Sequence, residues 1–149
     1  MHLDPLTELI EIEAIKQLKA RRIRALDTKD WATYESLHAP EHISYGFGGE
    51  PAVGPKAMMD RLLSFANDVN TVHMVHSPEI RITSPTTAEG FWVLEDVLHW
   101  MQGDEEHWFR GFGHYDETYV KRDGQWYFTS RRLKRLYTET SPGGNSPIV

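Results

Sequence analysis

From Leu6 onward, apolar residues recur at helical spacing: Leu6, Leu9, Ile10, Ala14, Leu18 and Ala25, with Ile15, Ile23 and Leu26 widening the stripe. That period predicts an amphipathic helix. Asp4-Pro5 supplies its start, an N-cap acceptor followed by proline at the first helical position, and the pattern carries it to about Asp27. Asp30 can cap a second, short helix over 31–38, which Pro40 ends. Gly54-Pro55 opens a third, with Ala57, Met58, Leu62, Phe65 and Val69 available for its apolar face.

The period then changes. Ile43, Tyr45 and Phe47 alternate, so a strand precedes the turn Gly48-Gly49-Glu50-Pro51. Long strand-like runs follow at 72–83, 87–100, 108–121 and 125–136, the first bulged or broken at Pro78. The Ser, Pro and Gly content beyond Thr138 predicts a flexible tail over 138–149, behind a single domain at 1–137. Arg122-Asp123-Gly124 suits a three-residue hairpin turn with a G1 bulge. That turn sets Val120 opposite Trp126, Thr118 opposite Phe128, Asp116 opposite Ser130 and His114 opposite Arg132. A two-residue turn would instead pair Tyr115 with Arg132. Helices first and antiparallel strands afterwards give an α+β fold. The long strands must curve and the helices must cover the concave face, which makes a cone with a cavity between the layers.

Composition removes several classes of function. The chain has 149 residues, enough for one real core, and no cysteine, so disulfides, thiolate nucleophiles and Cys-based metal sites are excluded. Net charge is −6 with only local basic clusters, at 16–24 and 131–135, which argues against nucleic acid as a partner. No apolar run reaches ~18 residues, and the first residues lack the pattern of a signal peptide. A cytoplasmic protein that does not engage a membrane is the expectation.

The chemistry concentrates in TVHMVHSPEI, residues 71–80, where His73 and His76 interrupt an apolar run. Imidazole is the side chain best placed to move protons near neutral pH. A metal is the other explanation of H-x-x-H. On a strand, however, rings three apart point to opposite faces. His114, Asp96 and Asp116 could complete a ligand set only in space, and no metal is expected. Trp31, Phe47, Trp92, Trp100, Phe112 and Trp126 are core residues first and pocket walls second. Gly111-Phe112-Gly113 lies inside a strand, so it is no phosphate loop.

The string IKQLKARRIRALDTKDW, then TVHMVHSPEI, TTAEGFWVLEDVLHW and RGFGHYDETYVKRDGQWYFTSRRLKRL, resembles the SnoaL-like, scytalone dehydratase-like branch of the nuclear transport factor 2-like (cystatin-like) superfamily over about residues 6–136. The resemblance implies a cone-shaped α+β barrel, with about three N-terminal helices on a strongly curved sheet. It implies a catalytic dyad of Asp27 and His73. It also implies substrate contacts drawn from His76, Asp96 or His99, His114, Asp116 and Arg132 or Arg131, with Trp31, Phe47, Trp92 and Phe112 as walls. The activity implied is a cofactor-independent lyase or isomerase, dehydratase-like, on a small hydrophobic cyclic substrate. A polyketide cyclase would use the same pair. A non-catalytic reading is also open, since dioxygenase small subunits share the fold and only assemble. The tyrosines that scytalone dehydratase places before its Asp are Ala25 and Leu26 here, so its substrate is not carried over. Homodimers or homotrimers are expected, joined through a convex face bearing Phe109, Tyr115, Tyr119 and Tyr127.

Overall fold

The computed structural model describes residues 3–46 and 49–146. Helix α1 (Pro5–Asp27) and the short α2 (Trp31–Ser36) lead into β1 (His38–Tyr45). Strand β2 (Ala52–Val53) and α3 (Pro55–Leu63) follow, then β3 (Asn70–Ser84), β4 (Thr87–Gln102), β5 (Glu105–Arg122) and β6 (Gln125–Thr140). The six strands form one curved sheet in the order β2-β1-β6-β5-β4-β3. Strand β1 runs parallel to β6, and every other pairing is antiparallel. The sheet stays open, with β2 and β3 as its edges. The fold is thus the expected α+β arrangement, without barrel closure.

Local chemistry explains the element boundaries. Asp4 caps α1 by accepting from the Leu6 and Thr7 backbone N–H groups, both at 3.1 Å. Gly54, at φ +85°, turns the chain so that Pro55 can begin α3. Helix α2 ends at Ser36, earlier than the expected His38, and Pro40 lies inside β1 where the pairing with β6 is irregular. This correction matters because it turns His38 and His42 into buried strand residues.

Helix α1 lays Ile15 and Leu18 on Ala88, Tyr119, Trp126 and Phe128 of the concave sheet face. Its last turn packs Ala25 and Leu26 with Tyr34, Met58, Met59 and Leu62 under α2 and α3. The expected apolar stripe is only partly covered: Leu6, Leu9 and Ile10 remain 67%, 64% and 58% exposed. The buried stripe is Ile15, Leu18, Lys19, Arg22, Ala25 and Leu26, so two cations occupy core positions.

The predicted β5–β6 register is overturned. The turn has two residues, Asp123 and Gly124, both at positive φ, and Arg122 pairs with Gln125. That is the backbone of a type I′ hairpin, whose twist matches the flanking strands. Thr129 is then an extra residue: Tyr119 pairs with Phe128, but Thr118 pairs with Ser130. Past this bulge Tyr115 faces Leu133 rather than Arg132, and Asp116 faces Arg132. A one-residue slip reverses the faces. The concave side therefore carries Phe109, Tyr115, Glu117 and Tyr119 of β5 and, beyond the bulge, Arg131 of β6. Phe109, Tyr115 and Tyr119 are core residues, not parts of a convex interface.

Strand β6 continues to Thr140, past the expected end, and Ser141 is buried against His107 and Trp108. Phe47, expected on the first strand, lies outside the described residues. Among the described residues no helix is long and apolar enough to cross a membrane.

Candidate functional site

Asp27 is the last residue of α1, and β3 passes it with Thr71 and His73 on the same side, two residues apart. One carboxylate oxygen accepts from the Thr71 hydroxyl at 2.9 Å and from His73 Nδ1 at 2.7 Å. The other accepts from the His73 backbone N–H at 2.9 Å. An ionised carboxylate only accepts, so Nδ1 carries a proton, and in the neutral ring Nε2 is the free nitrogen. His73 lines a cavity of about 310 Å³ between sheet and helices.

His73 pairs with Asp96 across β3–β4, and directly opposed residues share a face. Asp96 Oδ2 stands 3.8 Å from His73 Nε2. Arg135 holds Asp96 with two parallel bonds of 2.6 and 2.8 Å. The glycine at 111 makes this pairing possible. A Cβ there would lie 2.1 Å from Arg135 Nη1 and 2.4 Å from Asp96 Oδ1. Gly111 thus keeps open the space in which two charged groups meet.

The other end of the cavity is built by α1, α2 and β6. Arg22 is 1% exposed. Its Nε donates to His38 Nε2 at 3.0 Å and its Nη2 to the Tyr34 hydroxyl at 2.5 Å. His38 Nδ1 donates in turn to the Tyr34 carbonyl at 2.8 Å, so His38 is a neutral ring with a fixed tautomer. His42 sits beside it, accepting from Ser44 Oγ at 2.8 Å and donating to the Phe128 carbonyl at 3.2 Å. Burial first, and then the positive charge of Arg22, holds both rings below the ordinary imidazole range, His42 at about 3. Arg131 is buried along the Tyr115 ring, 4.9 Å from its centroid, and lines the same cavity.

Beneath this end Lys19 bonds Glu117 at 2.5 Å, both side chains being fully buried. Glu117 also accepts from the Tyr119 hydroxyl at 2.7 Å, which accepts from Trp92 Nε1 at 2.9 Å. Burial pushes the Lys19 ammonium down to about 7; Glu117 opposes that shift and Arg22 adds to it. Lys19 also lies 4.0 Å from the centre of the Tyr115 ring.

Of the residues singled out from sequence, the fold brings Asp27, His73 and Asp96 together. Trp92 lies in the core below the cavity, and Trp31 bonds Asn67 at its α2 edge; neither lines the cavity. His76 is exposed, because the bulge at Ser77-Pro78 follows it and leaves it on the convex side. His114 packs tilted against Phe91, and Phe112 stacks on Tyr137, on the convex side of β5. Asp116 and Arg132 are exposed there as well, Arg132 over Tyr45. The reversed β5–β6 register puts all four away from His73. Sequence reasoning missed Arg22, Tyr34, Thr71, Tyr115 and Arg135 as cavity residues. One signal was available for Arg22: it lies seven after Ile15 and four before Leu26, on the buried stripe of α1.

Among the described residues no group of three His, Asp or Glu side chains is placed to hold a metal ion.

The sequence profile of the SnoaL-like domain matches residues 7–132. The probable cyclase FGR4 of Gibberella zeae is 25% identical over 138 residues, 83% of this chain and 89% of that protein. A candidate scytalone dehydratase of Novosphingobium aromaticivorans has a structure with a TM-score of 0.81 at 23% identity, over 94% of this chain and 97% of that one. The hexachlorocyclohexane dehydrochlorinase LinA-type3 of Novosphingobium barchaimii gives 0.81 at 16% identity, over 96% and 98%. At these identities the structural likeness establishes the fold alone.

Proposed function

The chain belongs to the SnoaL-like domain family, within the nuclear transport factor 2-like superfamily, and from that premise we propose that it is a cofactor-independent lyase or isomerase in which His73 removes a proton from carbon. The observation that carries this reading is the Asp27–His73 contact, which leaves Nε2 as the basic nitrogen of a cavity-lining ring. In the proposed step Nε2 takes the proton from a carbon beside an electron-withdrawing group. Asp27 and Asp96 flank the ring, so positive charge arriving there meets negative charge. Charge building on the substrate oxygen faces the guanidinium groups of the cavity wall. Leu26, Leu62, Phe65, Leu98 and Leu133 supply an apolar cradle for a ring. The protonated His73 then gives that proton to the departing β-hydroxyl, which leaves as water and completes a dehydration.

The likeness to a probable cyclase of Gibberella zeae supports a second outcome, ring closure by the same carbanion. Both begin with the same proton transfer, and one experiment tests both. A panel of small cyclic hydroxyketones and diketones is incubated in D₂O and followed by NMR for deuterium uptake, elimination or closure. The expected result is conversion by the native protein and none by His73→Gln, with unchanged circular dichroism. Equal rates in the two proteins would remove His73 from the chemistry.

A further inference from the structure

The cavity wall holds more positive charge than the proposed proton transfer uses. Among the described residues its charged groups are Arg22, Arg61, Arg131 and Arg135 against one carboxylate, Asp96. Asp96 is already held by Arg135, and Arg61 donates to the Glu50 carbonyl. Among the described residues Arg22 donates to neutral acceptors only, His38 Nε2 and the Tyr34 hydroxyl. Its third nitrogen, Nη1, is buried and has no hydrogen-bond acceptor among the described residues. Buried polar groups are nearly always satisfied, and a charged donor left without an acceptor is costly.

We propose that the substrate of this cavity carries a permanent carboxylate, and that Arg22 Nη1 binds it. The inference rests on the cavity being the substrate site. Arg22 cannot escape its charge by losing a proton. It is also fixed in advance: two hydrogen bonds hold its fork, and its guanidinium carbon lies 4.7 Å from the Tyr34 ring centre and 5.3 Å from that of Phe128. A ligand carboxylate therefore meets a guanidinium whose other two nitrogens are already fixed. The field at this end agrees in sign, since the charge of Arg22 disfavours protonation of His38, His42 and Lys19 alike. The one unpartnered nitrogen of Arg22 and the apolar walls suit one carboxylate oxygen on a small ring. A phosphate would require several donors converging at one point. The substrate class is thus a mono- or bicyclic carboxylic acid, its acid group toward α1 and its ionisable C–H toward β3.

The test separates binding from chemistry. Cyclohexanecarboxylate, benzoate and 1-naphthoate, each with its neutral amide, are titrated by calorimetry into the native protein, Arg22→Met, Arg22→Lys and His73→Gln. The expected result is a preference for the acids of about tenfold or more in the native protein, the scale of one charge-assisted hydrogen bond. Arg22→Met loses that preference, and Arg22→Lys keeps part of it. His73→Gln retains it, so a failure of the proton-transfer reading leaves this result standing. Should Arg22→Met not fold, the Nε–Hε resonance of ¹⁵N-labelled Arg22 in the native protein serves instead, and it must move with the acids and not with the amides. Equal affinity for acid and amide, an undiminished preference in Arg22→Met, an unmoved Arg22 resonance, or no binding by any acid overturns the proposal.

Discussion

Asp27→Asn changes the site with almost no change of shape. The carboxylate accepts three hydrogen bonds, from Thr71 Oγ1, His73 Nδ1 and the His73 backbone N–H. Asparagine offers one oxygen and one NH₂ in the same two places. With its oxygen where Oδ1 was, its NH₂ opposes the His73 backbone N–H, donor against donor, at a cost of about 1–3 kcal/mol. With its oxygen where Oδ2 was, the backbone bond survives and the Thr71 hydroxyl can turn to accept. The NH₂ then faces His73 Nδ1, which must become an acceptor. The ring proton moves to Nε2, the nitrogen proposed as the base, and base catalysis worth ~10²–10⁴-fold is lost. The second arrangement costs less, so stability is expected to stay within about 1 kcal/mol while the tautomer reverses. Two-bond ¹H–¹⁵N correlation spectra of histidine-labelled protein read the tautomer without any substrate, with His73→Gln identifying the signal. The native ring should carry its proton on Nδ1 and the variant ring on Nε2. An Nε2–H ring in the native protein, or an Nδ1–H ring in Asp27→Asn, would refute the reasoning.

Gly111→Ala should cost about 3–5 kcal/mol if the new methyl displaces Arg135 and strands the buried Asp96 carboxylate. Urea unfolding compares it with Gly49→Ala, where no atom lies within 4 Å of the added carbon; equal, small losses would show that Arg135 is not displaced. Acid should destabilise the fold through His42, whose native pKa of about 3 lies below the ordinary 6.5. The unfolded chain then binds the extra proton, so stability is full above pH 6.5 and falls as pH drops toward 3, by up to ~1.4 kcal/mol per pH unit for this one group. Melting temperatures of the native protein and His42→Gln between those limits should diverge with the native slope steeper; parallel curves would contradict a neutral native His42.

The α+β order, the three helices and the four long strands were legible from the chain, because helix caps and the change from a helical to an alternating period are local signals. His73 stood out in its apolar run, but its pairing with Asp27 was legible only through resemblance. Nothing local brings the end of a helix to a strand that starts more than forty residues later. What the tertiary structure alone decided was which face of each strand looks inward. The type I′ turn at Asp123-Gly124 and the bulge at Thr129 are each one-residue matters. Strand side chains alternate with a period of two, so either event sends a whole row of residues to the opposite face. That is why His114, Asp116 and Arg132 fell outside the cavity while Tyr115 and Arg131 line it. The burial of Lys19 and Arg22 is equally non-local. Their place on the α1 stripe can be read from sequence, but Glu117, Tyr34 and His38, which make burial of two cations tolerable, are delivered by two strands and a helix that only the folded chain brings near.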